Sequence, residues 1–230
     1  MFFDPIYFLF IGPGLLLSMW ASFKTKSAFN KYSKVRSARG LTGAQAAQMM
    51  LDRAGIRDVT IKPARGFLSD HYNPLSKSLA LSDPVYGSTS IAAIGVACHE
   101  AGHAIQHATG YQALKLRSAL VPTVNIGSNF SWIAIMGGFL LNSQGLILAG
   151  IALFSTVVLF QLITLPVEFD ASKRARQLAV SHGIVLPQEE VGMGKVLNAA
   201  ALTYVAAAIT SVLTLLYFLM RAGLLGGSRD

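Results

Sequence analysis

Three of the chain's five histidines, His99, His103 and His107, fall within nine positions, and Glu100 is the only acidic residue among them. The segment is Gly95-Val-Ala-Cys-His-Glu-Ala-Gly-His-Ala-Ile-Gln-His-Ala-Thr-Gly-Tyr111, and His99 to His103 has the spacing His-Glu-x-x-His. Residues four apart on a helix stack on one face. Two imidazoles so placed can turn toward one zinc ion, at about 2.0–2.1 Å from each nitrogen. Glu100 lies one step round from His99, so its carboxylate can reach a water on the metal without being a ligand. Zinc brings the pKa of such a water to roughly 7. Glu100 can then take its proton and return it to a leaving amine, which is the chemistry of peptide hydrolysis. The same helix carries Ile91, Ala92, Gly95, Val96 and Ala101 as a buried face. Two histidines and a glutamate beside that face would be costly to bury without partners.

His107 continues the series, but eight helical residues rise about 12 Å, too far for a metal held by His99 and His103. The position ten residues after His99, where a longer zinc pattern has a third histidine, is Thr109. His107 therefore reads as a polar residue at the helix end near Gly110, and Cys98 as a small buried residue on another face. The third ligand must come from elsewhere. The next carboxylates along the chain are Glu168 and Asp170, in Leu165-Pro-Val-Glu-Phe-Asp-Ala-Ser172. Acids in a first helical turn are favoured by the macrodipole whatever their task. The need for a carboxylate beside two histidines tips the expectation toward Glu168, with Asp170 as the alternative. For stabilising an oxyanion, Tyr72, Tyr86, His71 and His182 have suitable chemistry, and the sequence does not choose among them.

These residues need elements to hold them. Ser88, Thr89 or Ser90 can cap the metal helix, which Gly110 ends. Thr42 with Gln45 reads as a capping box opening a helix that Gly55 closes. Asp58–Lys62 alternates like a strand. Phe67–Tyr72 and Ser76–Leu81 flank Asn73-Pro74 as a hairpin, so a small antiparallel sheet is expected before the metal helix. Pro166 suits the first turn of a separate helix that ends at Gly183.

The rest of the chain is membrane-like. Of 230 residues 53% are apolar and 13% charged, against about a quarter charged in soluble domains. Four stretches approach or exceed the roughly 20 residues needed to cross a bilayer core: 5–23, 119–141, 146–165 and 199–220. The second and third are joined by Asn142-Ser-Gln-Gly145, hence a helical hairpin. The first has Asp4 as its only preceding charge, lysines after it and no small-x-small cleavage site, so it reads as a retained anchor. The organisation expected is an anchor at 1–23, an extramembrane part with the metal helix at 24–117, a transmembrane hairpin at 118–166, a helix with the third ligand at 167–197, and a fourth span with tail at 198–230. The fold class expected is α+β: four transmembrane helices with a zincin-like cytoplasmic domain. Of the 19 Lys and Arg, 13 lie between Lys24 and Arg117 and 4 between Val167 and Lys195. The positive-inside rule puts both segments in the cytoplasm and both termini outside. The single cysteine excludes an intrachain disulfide and fits a reducing compartment. The net charge of +8 is explained by this clustering, and without a binding motif nucleic acid is not expected as a partner. Asn125 and Asn129, four apart, are expected to line a bundle interface.

The segments Leu68-Ser-Asp-His-Tyr-Asn-Pro74, Ile94–Tyr111 and Pro166–Ser172 resemble the neutral zinc metallopeptidases of bacterial membranes, the YugP type. The resemblance covers nearly the whole chain. More distantly the chain is similar to the HtpX-type and CAAX-prenyl-protease metallopeptidases. It implies Zn2+ held by His99, His103 and Glu168, with Glu100 as catalytic acid and base. It also implies a substrate-binding edge strand, for which Ser76–Leu81 is placed. The distant families carry an aspartate four residues after the ligand glutamate; here that position is Ser172, with Asp170 nearby. The expected partners are a protein or peptide substrate and the lipid bilayer.

Three other readings fare worse. An intramembrane metalloprotease would bury its motif in a span and use an Asp-Gly ligand pair, and this chain has no Asp-Gly. A metal transporter would place ionisable ligands within the spans. A non-catalytic zinc-binding adaptor or chaperone on a protease fold would not need Glu100.

Overall fold

The structure is a computed structural model and describes residues 5–66 and 69–225. Its elements are α1 (Pro5–Tyr32), α2 (Gly43–Arg53), β1 (Thr60–Ala64), β2 (His71–Asn73), β3 (Ser78–Ser82), α3 (Asp83–Tyr86), α4 (Ile91–Ala108), α5 (Gln112–Leu140), α6 (Gln144–Ser181) and α7 (Pro187–Arg221). They form two compact units. Among the described residues one comprises 5–20, 116–165 and 203–225, the other 21–66, 69–115 and 166–202.

The first unit holds most of the length of the four apolar stretches. α1, α5, α6 and α7 are each long and apolar enough to cross a membrane. Its core is small: Ile135, Ile147, Ile151, Tyr217 and Phe218, with Tyr7 and Phe10 packed against them. Tyr7 meets Tyr217 edge-on at 5.3 Å, and Trp132 meets Phe218 at 5.3 Å. Glycine permits close approach of backbones. A Cβ at Gly150 would lie 2.8 Å from the Ile135 nitrogen, and one at Gly138 would lie 2.7 Å from that of Ile147. Small residues at such crossings are how helices associate in lipid, where apolar burial gives little drive. Leu9 and Leu140, 72% and 81% exposed, instead face outward. Asn142, at φ 50°, makes the turn between α5 and α6. Asn125 and Asn129 are not in an interface: both are exposed, and the Asn129 amide donates back to the Asn125 carbonyl.

The second unit is built around α4. The Ser90 hydroxyl accepts from Ala93 N–H at 3.2 Å and opens the helix; Gly110, at φ +69°, follows its end. Nearly every side chain from Ile91 to Gln106 is buried. α2 packs on α4, opened by the Thr42–Gln45 capping box. Its Met50 and Leu51 join Ile94, Leu79, Leu81, Ala175 and Met193 in one core.

Three expectations need correction. The sheet is mixed rather than antiparallel: β1 runs parallel to β3 and β2 antiparallel, in the order β1-β3-β2. Ser78–Ser82 is therefore the central strand, all five residues buried, and cannot be the edge expected of Ser76–Leu81. The edges are β1 and β2, and β2 is a shorter strand than the Phe67–Tyr72 reading; Phe67 and Leu68 lie outside the described residues. Finally, Pro166 does not open a new helix but sits inside α6. A proline removes one N–H and leaves one carbonyl without its helical partner, and the long apolar turns before it and the alanine-rich turns after it carry the helix through. The Asp70 and Asn73 side chains set the loops around the sheet. Asp70 accepts from Ser82 N–H at 2.7 Å and from its hydroxyl, while Asn73 accepts from Leu75 N–H at 2.9 Å.

Candidate metal centre

α4 and the second unit's part of α6 meet closely at Gly102. A Cβ there would lie 2.7 Å from the Ala171 carbonyl oxygen. The α6 face turned inward is Val167, Ala171, Ala175 and Ala179, one residue per turn, all fully buried. Small side chains on both helices thus bring Glu168 and Ser172 onto the face bearing His99 and His103.

The ligand atoms of His99, His103 and Glu168 all lie within 4.8 Å of one another. Glu168 Oε2 is 3.1 Å from His99 Nε2 and 3.5 Å from His103 Nε2. The two rings stand nearly perpendicular, 82° apart, with centroids 4.7 Å apart. Glu168 and His103 are buried and His99 nearly so.

Each Nδ1 has its own partner. His99 Nδ1 lies 3.1 Å from Ser172 Oγ, and His103 Nδ1 lies 3.0 Å from the Gln106 side-chain oxygen. The Gln106 amide donates to the Val167 carbonyl and to Asp170 Oδ2, both at 2.8 Å. That fixes its oxygen toward His103 and assigns the proton of His103 to Nδ1. Asp170 is held in turn by Arg174 Nε at 2.5 Å. With the hydrogen on Nδ1, each Nε2 presents a lone pair to the centre, the arrangement by which outer partners orient metal-binding histidines.

Electrostatics favour a cation here. Burial opposes a charged His103, but its bond to Glu168 and the charges of Glu100 and Glu168 outweigh it and hold the imidazole's pKa above its ordinary value. Two imidazole nitrogens and one carboxylate oxygen are the donor set of a zinc site that keeps a position open for water or substrate, so these residues fit zinc. Cys98 is no competitor: it is fully buried, and burial pushes its thiol up to about 12.

None of the remaining candidates is among the three grouped residues. Asp170 supports Gln106 and is not among the three grouped residues. His107 Nδ1 is 2.8 Å from the Tyr72 hydroxyl, which ties β2 to the metal helix. His71 Nδ1 is 2.8 Å from the Ser69 carbonyl. Tyr86 packs against the core. His182 follows the end of α6, where burial and the nearby Arg53 lower its pKa. Gln106 was missed in the sequence, and Ser172 was noted only as a departure. Their spacings, three after His103 and four after Glu168, place both on the ligand faces.

Comparison with known proteins points to a zinc peptidase as well. A family described as "Putative neutral zinc metallopeptidase" matches residues 7–223. A relative from Bacillus subtilis (strain 168), "Putative membrane protease YugP", is 54% identical over 204 residues, 89% of this chain and 91% of the relative. No solved structure matches the chain.

Proposed function

Because the chain belongs to the neutral zinc metallopeptidase family, we propose that it is a membrane-bound endopeptidase of the gluzincin kind. In this reading His99, His103 and Glu168 hold zinc and Glu100 moves the proton. The observation that carries it is the convergence of three ligand atoms within 4.8 Å, with both histidine Nδ1 atoms engaged elsewhere. Zinc, when bound, supplies a Lewis acid that polarises a peptide carbonyl and acidifies water.

The chain's own groups do the rest. Ser172 and Gln106 hold the imidazoles with Nε2 inward. Glu100 is buried, and its charge is felt at His103, yet it is outside the ligand group. Its carboxylate takes the proton of the attacking water and delivers it to the departing amine. An extended peptide adds to the outer edge of β2, which takes the recognition role expected of the Ser76–Leu81 strand. The catalytic unit faces the cytoplasm with both termini outside, as the clustering of basic residues favours.

Glu100→Gln tests the mechanism because it keeps volume and leaves the ligands in place. Zinc should stay at about one per chain while peptide turnover falls by roughly 10²–10⁴-fold or more. A Glu100→Gln protein that cleaves like the wild type would end the protease reading.

A further inference from the structure

α1 and α7 run antiparallel in the second unit. The Thr25 hydroxyl donates to the Ala199 carbonyl at 2.9 Å. Seven residues on along α1 and seven back along α7, Gly192 takes the Tyr32 ring so closely that a Cβ would meet it at 2.8 Å. Beside this seam lies a cleft of about 450 Å³. Lys24, Ser27, Ala28 and Lys31 of α1 line one wall, and Lys195, Asn198, Ala199 and Leu202 of α7 the other, each set at the i, i+3, i+4, i+7 spacing of one helix face. The cleft thus has three lysines, two small polar side chains, the Tyr32 ring with the Lys31 ammonium 5.8 Å from its centroid, and an apolar floor. No carboxylate lines it. The nearest acids along α7 are committed elsewhere: Glu189 accepts from Ala38 and Leu186 N–H groups, and Glu190 pairs with Arg176.

We propose that this cleft binds the phosphate headgroup of an anionic phospholipid, with Lys24, Lys31 and Lys195 around the phosphate and Ala199 and Leu202 against the start of the acyl chains. The position along the chain selects a lipid over a soluble anion. Lys24 directly follows the exposed Phe23, where the first apolar stretch ends, and Ala199 begins the fourth. Basic pockets between helices at that depth suit anionic headgroups. Lysines flanking a span also set orientation, but that role does not distinguish Lys26, on the same helix, and Lys34, in the turn just after it, both outside the cleft. They are the internal controls.

The experiment is native mass spectrometry of the full-length protein released from phosphatidylglycerol or phosphatidylcholine nanodiscs. It compares wild type, the triple Lys24/Lys31/Lys195→Gln variant and the double Lys26/Lys34→Gln variant, with zinc content as the folding control. The wild type and the double variant should each retain one phosphatidylglycerol, and the triple variant should not. Each cleft lysine removed singly should weaken retention roughly fivefold, and the single variants decide the matter if the triple fails to fold. Equal retention by the triple variant overturns the proposal, as does equal loss from the double variant, which would mean diffuse surface charge. Equal retention of phosphatidylcholine would mean apolar adhesion alone. If inorganic phosphate binds the detergent-solubilised wild type and phosphatidylglycerol does not, the site is one for soluble phosphate and the lipid assignment falls.

Discussion

At the residue scale, the centre depends on two hydrogen bonds as much as on its ligands. An imidazole can carry its proton on either nitrogen, and only the Nδ1–H form offers Nε2 to the metal. The Gln106 amide oxygen selects that form for His103, and the Ser172 hydroxyl is within hydrogen-bond distance of His99 Nδ1 to accept from it. Ser172→Ala and Gln106→Leu should each weaken zinc binding by roughly 10–100-fold, measured by competition with a chelator. Gln106→Leu should cost more, because it also removes a donor from the Val167 carbonyl and one of the two donors to Asp170. Unchanged affinity in both would mean the ligands orient themselves. The ligand histidines were legible because their spacing is itself the geometry. Gln106 was not, since a glutamine in a helix is usually a solvated residue and only its tertiary partners reveal this one. Ser172 read as a missing aspartate, but its hydroxyl lies within hydrogen-bond distance of His99 Nδ1.

At the scale of elements, the site exists because α4 and α6 touch at Gly102 and Ala171. Gly102→Ala weighs two effects. Alanine favours a helix over glycine by about 1 kcal/mol, while forcing a methyl against a backbone carbonyl costs about 1–3 kcal/mol. The clash should win: thermal unfolding shifts down and zinc content falls, because the separated helices no longer bring Glu168 to the histidines. A more stable, fully zinc-loaded variant would show that the helices have room to spare. Helix boundaries were readable where capping is local, as at Thr42, Ser90, Gly55 and Gly110. The sheet order was not, because pairing β1 with β3 across the intervening β2 is a tertiary choice that alternation in one strand cannot encode. Pro166 misled for a related reason: it reads as a helix start locally, and only the packed alanines after it show that the helix continues.

At the scale of the molecule, a zinc peptidase family, four apolar helices and a membrane-protease relative agree on a membrane-bound enzyme. The proposed side of the membrane rests on charge: 17 of 19 Lys and Arg lie in the two segments 24–117 and 167–195. A cysteine placed at Thr60 should be labelled by an impermeant maleimide only after the cells are opened, with little background from the buried Cys98. Labelling in intact cells would reverse the orientation. In this reading Glu168 of α6 completes the zinc site of His99 and His103 on α4, and zinc per chain in purified Glu168→Gln beside Asp170→Asn measures that. Glu168→Gln replaces an anionic ligand with a neutral one and should lose zinc or hold it far more weakly, while Asp170→Asn stays close to the wild-type loading. Loss of zinc from Asp170→Asn with full loading of Glu168→Gln would contradict it.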